Sequence, residues 1–496
     1  ALAGAVRCLG LNQPYLGNFH SYQLISASMT RFFVREHFTD LLNPKLDILV
    51  NGAPGLHLHY YPVVSLVAAL PIAAFGGPPE LWGRLQAILF SLGTVLLIYL
   101  LGARMRDRLF GLLACAFYAF SPISVIYGQS FMNEAAGVFL VVLALYAFVR
   151  ARDGGGAGCV FCGIAAAGLT LITRLNGFYL FLPLLAIRAY GTNGWQGRKI
   201  TGWFLICLCI GILPLVWYGY TWFAAQHDPH VYNCMFPQLG RQAPKAGWDP
   251  DFLGVLAKTI ATLDFTPLGL SLLLIGLVVG LPGRQNRWLY VWFFGVLFTF
   301  FLIPQKIKDH NFYTLHLVPP AAFFIAGAVQ WAWNKGPAQW KPVARQAAAC
   351  IAILLALAWS ARYFHNPVAK SVLDENQGVR EAAIETQTIV PQGATIVAAR
   401  GSANCLLYYS DRKGWDFDLI PPKEVPYQML FRWRFLSPEE VEKRSAAFLD
   451  PKQWLEFLRS EGAEYFVIAT PQELERNTDF RDYLLSHYPQ ITPPGD

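Results

Sequence analysis

The chain alternates long apolar runs with short polar turns. The apolar runs occupy residues 60–75, 81–101, 110–126, 135–149, 159–172, 178–187, 203–223, 267–281, 288–303, 317–333 and 347–359. A helix needs about 20 apolar residues to cross a bilayer, and several runs reach or approach that length. The pattern predicts a mainly α fold, a polytopic bundle of about 11–13 transmembrane helices. The apolar piece at residues 1–11 is shorter, and we expect it to be the end of a helix that begins before residue 1.

The charged turns predict which side of the membrane each loop faces. Clusters of Lys and Arg at residues 104–108, 150–152 and 198–199 follow alternate runs, and such clusters are typical of cytoplasmic loops. The polar stretch 17–61 and the C-terminal part of the chain are then extracytoplasmic. The run 60–75 does not fit strict alternation. We therefore expect that it re-enters the same face or that another predicted span is wrong.

Composition and charge divide the chain into two parts. Only 14% of the residues are charged and 54% are hydrophobic, whereas soluble domains carry about a quarter charged residues. Residues 1–365 hold 12 acidic and 25 basic residues, and residues 366–496 hold 20 acidic and 14 basic residues. We predict a basic transmembrane module over 1–365, with its first outer loop at 17–61. We predict an acidic, extracytoplasmic α/β domain over 366–496.

The acidic part carries the signals of a small α/β domain. Residues 394–399 and 464–469 have the apolar, partly β-branched composition of strands. Ser437 followed by Pro438 predicts a capped helix start, and 452–460 predicts a second helix. This part contains no nucleophile triad, phosphate loop or metal-ligand spacing. We interpret it as a lid or an acceptor-docking module.

Candidate chemistry lies at the outer ends of the predicted helices. A carboxylate or imidazole at such a position can accept a proton, and Arg or Lys can hold a phosphate leaving group. The candidate catalytic residues are His20, Glu134 and His57; the candidate phosphate-binding cations are Arg174, Arg84, Lys306 and Lys308; further candidates for the same cavity are Gln23, Asn133, His59, His310 and Tyr313. The nine cysteines show no disulfide framework and no second pair at zinc spacing.

Each candidate also has a purely structural interpretation. His20 could cap a helix, and His57 and His59 could join the neighbouring tyrosines in an interfacial belt. Glu134 could be a partner for a helix N-terminus, and Arg174 could extend to the membrane surface. We favour function for His20, because it directly follows the first predicted span, and for Arg174, because a charge inside an apolar segment is usually functional. For His57 or His59 alone, the interfacial belt is favoured.

A family resemblance appears in an ordered set of short segments. These are Gly83-Arg84-Leu85-Gln86 continuing to Leu100-Leu101-Gly102-Ala103-Arg104, Ser121-Pro122 to Tyr127, Met132-Asn133-Glu134, Leu171-Ile172-Thr173-Arg174, and Tyr408-Tyr409-Ser410-Asp411-Arg412-Lys413-Gly414-Trp415. The set resembles the GT-C glycosyltransferases, in the branch of the protein mannosyltransferases and the lipid A aminoarabinose transferase. The resemblance covers most of residues 15–420. No single segment is specific, but their order is.

The resemblance implies an inverting transfer of a sugar from a polyprenyl-phosphate donor at the outer membrane face. In the family, an acid in the first outer loop is the base. This sequence departs from that pattern, since it has His20 and His57 where acids are usual. By the resemblance, Glu134 takes the place of a second family acid and Arg174 that of the cation that binds the donor phosphate.

We therefore predict a membrane glycosyltransferase whose partners are the membrane, a polyprenyl-phosphate-linked sugar and a lipid, glycan or protein acceptor. The rival hypothesis is a non-enzymatic transporter or flippase of lipid-linked sugars, but the sequence has no internal repeat, which such proteins often show. The sequence has no strip in which basic and aromatic residues are interleaved, so no nucleic-acid partner is predicted. No cofactor is predicted, and a need for a divalent metal is left open. The expected location is a prokaryotic inner membrane.

Overall fold

The computed structural model describes residues 1–491 except for residue 18, 191–199, 236–249, 282, 284–285, 336–376, 400–402 and 470. The chain forms two compact units. The first contains Ala1–Asn12, Gly83–Gly219 and Leu239–Ser371, and the second contains Gln13–Trp82, Tyr220–Gln238 and Val372–Asp496. The predicted span at 347–359 and the predicted domain boundary after residue 365 lie outside the described residues.

The first unit is helical. Its elements are Leu2–Cys8, most of Pro79–Met105, Arg108–Phe120, Pro122–Tyr127, Asn133–Arg152, Ala157–Thr173, Phe181–Ala189, most of Ile200–His227, Pro250–Thr259, Thr266–Val279, Trp288–Leu302, Pro304–Asp309 and Val318–Lys335, with 3-10 segments at Leu175–Leu180 and Asn311–Leu317 and a π segment at Ile260–Asp264. Small residues allow close helix packing, as is common in membranes. A Cβ atom on Gly102 would lie 2.7 Å from the Cα of Gly111.

Several helices have the length and apolarity of membrane spans. Among the described residues, four meet both conditions: Pro79–Met105, Asn133–Arg152, Gly202–His227 and Asn311–Asn334. A fifth is added if Asp251–Asp264 and Thr266–Val279, which meet at 102°, form one span. Shorter apolar helices are Val63–Phe75, Arg108–Phe120, Ala157–Thr173, Leu175–Ala189 and Trp288–Leu302. The predicted class, a mainly α polytopic membrane protein, is confirmed.

The second unit combines helices with one mixed sheet. Its helices are His20–Arg35, Val63–Phe75, Gln377–Ile389, Ala403–Ser410, Tyr427–Arg432, Pro438–Phe448, Pro451–Ser460, Pro471–Leu474 and Thr478–His487. Its strands are β1 (Lys45–Val50), β2 (Ala53–Leu58), β3 (Val231–Cys234), β4 (Thr395–Ala399), β5 (Lys413–Phe417) and β6 (Tyr465–Ile468). Val63–Phe75 has 13 residues, fewer than the roughly 20 that a straight span needs.

The sheet joins the first polar stretch to the C-terminal part of the chain. The strand order is β3-β2-β1-β5-β4-β6. β1 pairs with β2 as an antiparallel hairpin and with β5 in parallel, where Ile48 lies opposite Gly414. A Cβ atom on Gly414 would overlap the carbonyl oxygen of Ile396 on β4, so this close approach requires glycine. Because β1 and β2 share one sheet with β4, β5 and β6, these strands must lie on the same side of the membrane.

One apolar core supports this arrangement. Leu49 from the first polar stretch packs in the same buried cluster as Phe417, Trp433, Trp454 and Phe480. The predicted strands at 394–399 and 464–469 are confirmed as β4 and β6. The helix predicted after Ser437 is also confirmed, and the Ser437 hydroxyl accepts a hydrogen bond from the backbone N–H of Glu440 at 3.2 Å.

The polar stretch 17–61 is more ordered than its polarity suggests. It contains His20–Arg35, β1 and β2. Asp47 shows this order, although a carboxylate in a polar stretch would be expected in a mobile loop. It lies on β1, is buried, and forms an ion pair of 2.7 Å with Arg31.

Candidate active site

A buried ion pair between Glu134 and Arg174 forms the centre of the candidate site. Glu134 lies in the first turn of Asn133–Arg152, and Arg174 is the C-cap of Ala157–Thr173. Negative charge is favoured at a helix N-terminus and positive charge at a C-terminus, so both helix dipoles stabilise this placement. Only 1% of Glu134 and 5% of Arg174 is exposed, and the carboxylate contacts the guanidinium directly. Two ends of apolar helices thus place a full ion pair inside the first unit.

Aromatic side chains cover the guanidinium. The Cζ atom of Arg174 lies 5.2 Å from the ring centroid of Phe312 and 5.5 Å from that of Tyr313. Both distances permit cation–π attraction, which is stronger where water is excluded. The ring of His310 stacks on Phe312 with centroids 5.1 Å apart. The 3-10 segment Asn311–Leu317 therefore forms one wall around Arg174.

Positive groups gather near this wall. Burial, together with the charge of Arg174, lowers the pKa of Lys306 despite the opposing carboxylate of Asp309. Burial and the charges of Lys306 and Arg174 likewise lower the pKa of His310. Like charges that repel one another in a partly buried place are stabilised by a bound anion. The surroundings of Arg174 therefore suit a phosphate group.

His316 and Tyr179 also belong to this group, although the sequence did not identify them. Nδ1 of His316 shares a hydrogen bond of 2.7 Å with the hydroxyl of Tyr179, and both side chains are buried. A Cβ atom on Gly137 would lie 3.4 Å from Cγ of Arg174 and 3.8 Å from Cε1 of His316. Glycine thus lets the helix backbone approach both side chains. The available signal was a histidine beside an apolar run, which is often functional in membrane proteins.

The remaining candidates of the first unit differ in burial and in their contacts. Asn133 is buried one residue before Glu134. Arg84 is buried, and its Nη1 donates to the carbonyl oxygen of Gln129 at 3.4 Å. Lys308 is half-buried on the short helix Pro304–Asp309. The contacts above bring together Glu134, Arg174, Tyr313, His310 and Lys306, all of which the sequence had named.

His20, His57 and His59 belong to the second unit. His20 begins the helix His20–Arg35, where it is half-buried, and Gln23 is buried one turn later. Whether His20 lines the same cavity as Glu134 and Arg174 stays a prediction.

His57 lies on β2 and is 4% exposed. Among the residues that the structure describes, neither of its ring nitrogens has a hydrogen-bond partner. Burial lowers the pKa of His57 to about 4, so the imidazole is neutral at pH 7 and a weak base. The rings of His59 and Tyr60 lie 6.2 Å and 5.8 Å from it. This aromatic cluster agrees with the structural interpretation of His57 better than with a role as the base.

No grouping of three or more His, Cys, Asp or Glu side chains suited to a metal ion occurs within the described ranges. The question of a divalent metal therefore stays as the sequence left it.

Comparisons with known proteins identify the fold. Residues 59–218 match the sequence profile of the dolichyl-phosphate-mannose-protein mannosyltransferase family. The structure resembles that of ArnT from Cupriavidus metallidurans bound to undecaprenyl phosphate, with a TM-score of 0.60 and 14% identity over 88% of this chain and 87% of the other. It also resembles the oligosaccharyltransferase AglB from Archaeoglobus fulgidus, in complex with an inhibitory peptide and a dolichol-phosphate. That match has a TM-score of 0.54 and 12% identity over 83% of this chain and 63% of the other. No curated protein matches the chain by sequence.

The protein is thus an integral membrane protein with the fold of the GT-C glycosyltransferases. The resemblance to the branch of the protein mannosyltransferases and the aminoarabinose transferase, stated above from the sequence, is confirmed.

Proposed function

We propose that the protein transfers a sugar, with inversion, from a polyprenyl-phosphate donor to a lipid, glycan or protein acceptor. The observation that carries the proposal is the buried Arg174, held by Glu134 and surrounded by Lys306, His310 and two aromatic rings. The relatives with this fold include structures bound to undecaprenyl phosphate and to dolichol-phosphate. A lipid phosphate is the ligand that a cationic site at the ends of membrane helices suits best.

Arg174 would stabilise the leaving group. During transfer, an acceptor oxygen or nitrogen attacks the anomeric carbon while the bond from that carbon to the phosphate oxygen breaks. The phosphate takes the electron pair of the broken bond and gains negative charge. A guanidinium fixed in a water-poor site stabilises that charge more than water could. The guanidinium is already in place, whereas water dipoles would have to reorient during the reaction. Its planar fork can also bind two phosphate oxygens at once.

The acceptor's proton must pass to a base on the face of the sugar opposite the phosphate. We propose His20 as this base, because it sits at the start of a helix in the first polar stretch and a neutral imidazole accepts a proton near pH 7. Glu134 is the first alternative, although its carboxylate is already engaged in the ion pair with Arg174. His57 ranks below both because of its low pKa.

We predict that His20→Ala lowers the turnover number by about 10²–10⁴-fold, as expected for loss of a general base. The measurement is release of polyprenyl phosphate from a lipid-linked sugar in proteoliposomes that contain an acceptor. Asp40→Ala is the matched control, because Asp40 lies in the same polar stretch and accepts hydrogen bonds from Asn43. If His20→Ala keeps near-wild-type turnover while Asp40→Ala is inactive, the base assignment is wrong. A protein that moves the lipid-linked sugar across the bilayer without releasing polyprenyl phosphate would be a transporter instead.

We also propose that the protein lies in a prokaryotic inner membrane and that its second unit is on the extracytoplasmic side. In a cysteine-free background, Thr39→Cys and Ser486→Cys should both react with an impermeant maleimide added outside, since both positions are exposed. Gly156→Cys is the control, because its turn follows a basic cluster typical of the cytoplasmic side. If Gly156→Cys reacts from outside while Thr39→Cys and Ser486→Cys do not, the protein has the opposite orientation. Opposite sidedness of Thr39 and Ser486 would contradict the shared sheet itself.

A further inference from the structure

A buried carboxyl group lies at a sharp bend of the first unit. Asp264 ends the segment Ile260–Asp264, just before the helix Thr266–Val279, at the 102° bend. Its side chain is fully buried. The Ser121 hydroxyl donates to the backbone carbonyl oxygen of Asp264 at 2.7 Å, which attaches the bend to the start of the helix Pro122–Tyr127. The glycosyl transfer described above assigns no role to this carboxyl group.

The surroundings of the carboxyl group are neutral. Its Oδ1 lies 2.7 Å from Oγ1 of Thr314, and its Oδ2 has no hydrogen-bond partner among the described residues. No cationic side chain of a described residue forms an ion pair with Asp264. A buried carboxylate without a cation costs far more free energy than a neutral carboxylic acid. These contacts therefore favour the protonated form.

The hydrogen bonds of Thr314 lead to the same result. Its hydroxyl lies 2.7 Å from Oδ1 of Asp264 and 2.9 Å from the carbonyl oxygen of Asn311. A threonine hydroxyl has one proton to donate, and a carbonyl oxygen and an ionised carboxylate can only accept. Two full hydrogen bonds, rather than one proton shared between two acceptors, form only if Asp264 carries a proton. Asp264 then donates to Thr314, and Thr314 donates to Asn311.

This chain of hydrogen bonds ends on the segment that surrounds Arg174. Asn311–Leu317 is a 3-10 segment, whose internal hydrogen bonds have poorer geometry than those of an α-helix. Its first residue is held at the backbone by Thr314 and at the side chain by the hydroxyl of Tyr127. The next two residues are Phe312 and Tyr313, whose rings lie against the guanidinium. The position of both rings thus depends on the anchoring of Asn311.

We propose that Asp264 is a positioning residue that stays protonated and, through Thr314, holds the aromatic wall of Asn311–Leu317 against Arg174. It does not touch the reacting atoms. This inference rests on the proposed function only in assigning a lipid phosphate to Arg174. Its structural part, a protonated Asp264, does not.

The experiment compares isosteric and apolar replacements. Asp264→Asn can still donate to Thr314, so its turnover number and donor KM should stay within about twofold of the wild type. Asp264→Leu cannot donate, and we expect donor KM to rise about tenfold with a smaller change in turnover number, the effect typical of a lost buried hydrogen bond. Thr314→Ser should retain the wild-type KM, whereas Thr314→Val should behave like Asp264→Leu. The serine and valine pair keeps the test valid if Asp264→Leu does not fold.

An infrared measurement tests protonation without any substrate. The difference spectrum between wild type and Asp264→Asn at neutral pH should contain the carbonyl band of a protonated carboxylic acid. A carboxylate band instead, or an inactive Asp264→Asn with Thr314→Val unaffected, would overturn the proposal. If the wild type transfers no sugar from any polyprenyl-phosphate donor while the acid band is present, the proposed function fails and the assignment of Asp264 does not.

Discussion

Replacement of Arg174 by alanine is expected to weaken binding of polyprenyl phosphate and to lower transfer by about 10²–10³-fold, the loss typical of removing one electrostatic stabiliser of a developing charge. The variant should also be less stable. Glu134 is almost fully buried beside Arg174, and removing one member of a buried ion pair leaves the other uncompensated, at a cost of about 3–5 kcal/mol. Titration with polyprenyl phosphate in detergent measures the first effect, and thermal unfolding measures the second.

A double variant separates the two effects. Adding Glu134→Gln to Arg174→Ala removes the stranded charge, so thermal stability should return towards that of the wild type. Binding of polyprenyl phosphate should not return, because the cation is still missing. Arg174→Lys should bind polyprenyl phosphate with an affinity between those of the wild type and Arg174→Ala, since an ammonium keeps the charge but loses the planar fork. If the double variant binds polyprenyl phosphate as the wild type does, Arg174 only balances Glu134 and is not a phosphate ligand.

The first unit was largely predictable from the sequence because its signals are local. Long apolar runs predict helices whatever lies elsewhere in the chain. Glu134 and Arg174 could be selected because charges inside apolar segments are costly and usually serve a purpose. Their direct contact could not be read in advance. It depends on the turn 153–156, which places the N-terminus of one helix beside the C-terminus of the other.

The second unit shows what local signals leave open. The strands β4 and β6 were visible as short apolar segments, but β1 and β2 lie in the stretch 17–61, where polar and apolar residues are mixed. β1 pairs with β5, which is more than 350 residues away in the chain, and pairing over that distance has no local sequence signal. The burial of Asp47 has no local sequence signal either. Its partner Arg31 lies on a helix that only the tertiary fold brings to β1.

Arg31 holds β1 and β5 together at their junction. Its Nη2 lies 2.7 Å from Oδ2 of Asp47 on β1, and its Nη1 lies 3.0 Å from Oδ1 of Asp411, two residues before β5. Nη1 also donates to the carbonyl oxygen of Tyr408 at 2.9 Å, and Cζ lies 4.5 Å from the centroid of the Tyr408 ring. The charges of Arg31 and Arg35 hold the pKa of Asp411 below its usual value although burial acts to raise it. One guanidinium thus serves two carboxylates from opposite ends of the sequence.

Arg31→Met is therefore expected to lower the free energy of unfolding of the second unit by about 3–5 kcal/mol, because the buried Asp47 loses its cation. Hydrogen exchange should accelerate in β1 and β5 before it does in β4 and β6. Arg35→Ala is the matched control: Arg35 pairs with the same Asp411, but 45% of its side chain is exposed, and exposed ion pairs contribute only about 0–1 kcal/mol. Adding Asp47→Asn to Arg31→Met should recover part of the lost stability by removing the stranded charge. Equal losses for Arg31→Met and Arg35→Ala, or unchanged exchange in β1, would show that the apolar core around Leu49 and Phe417 alone holds the two segments together.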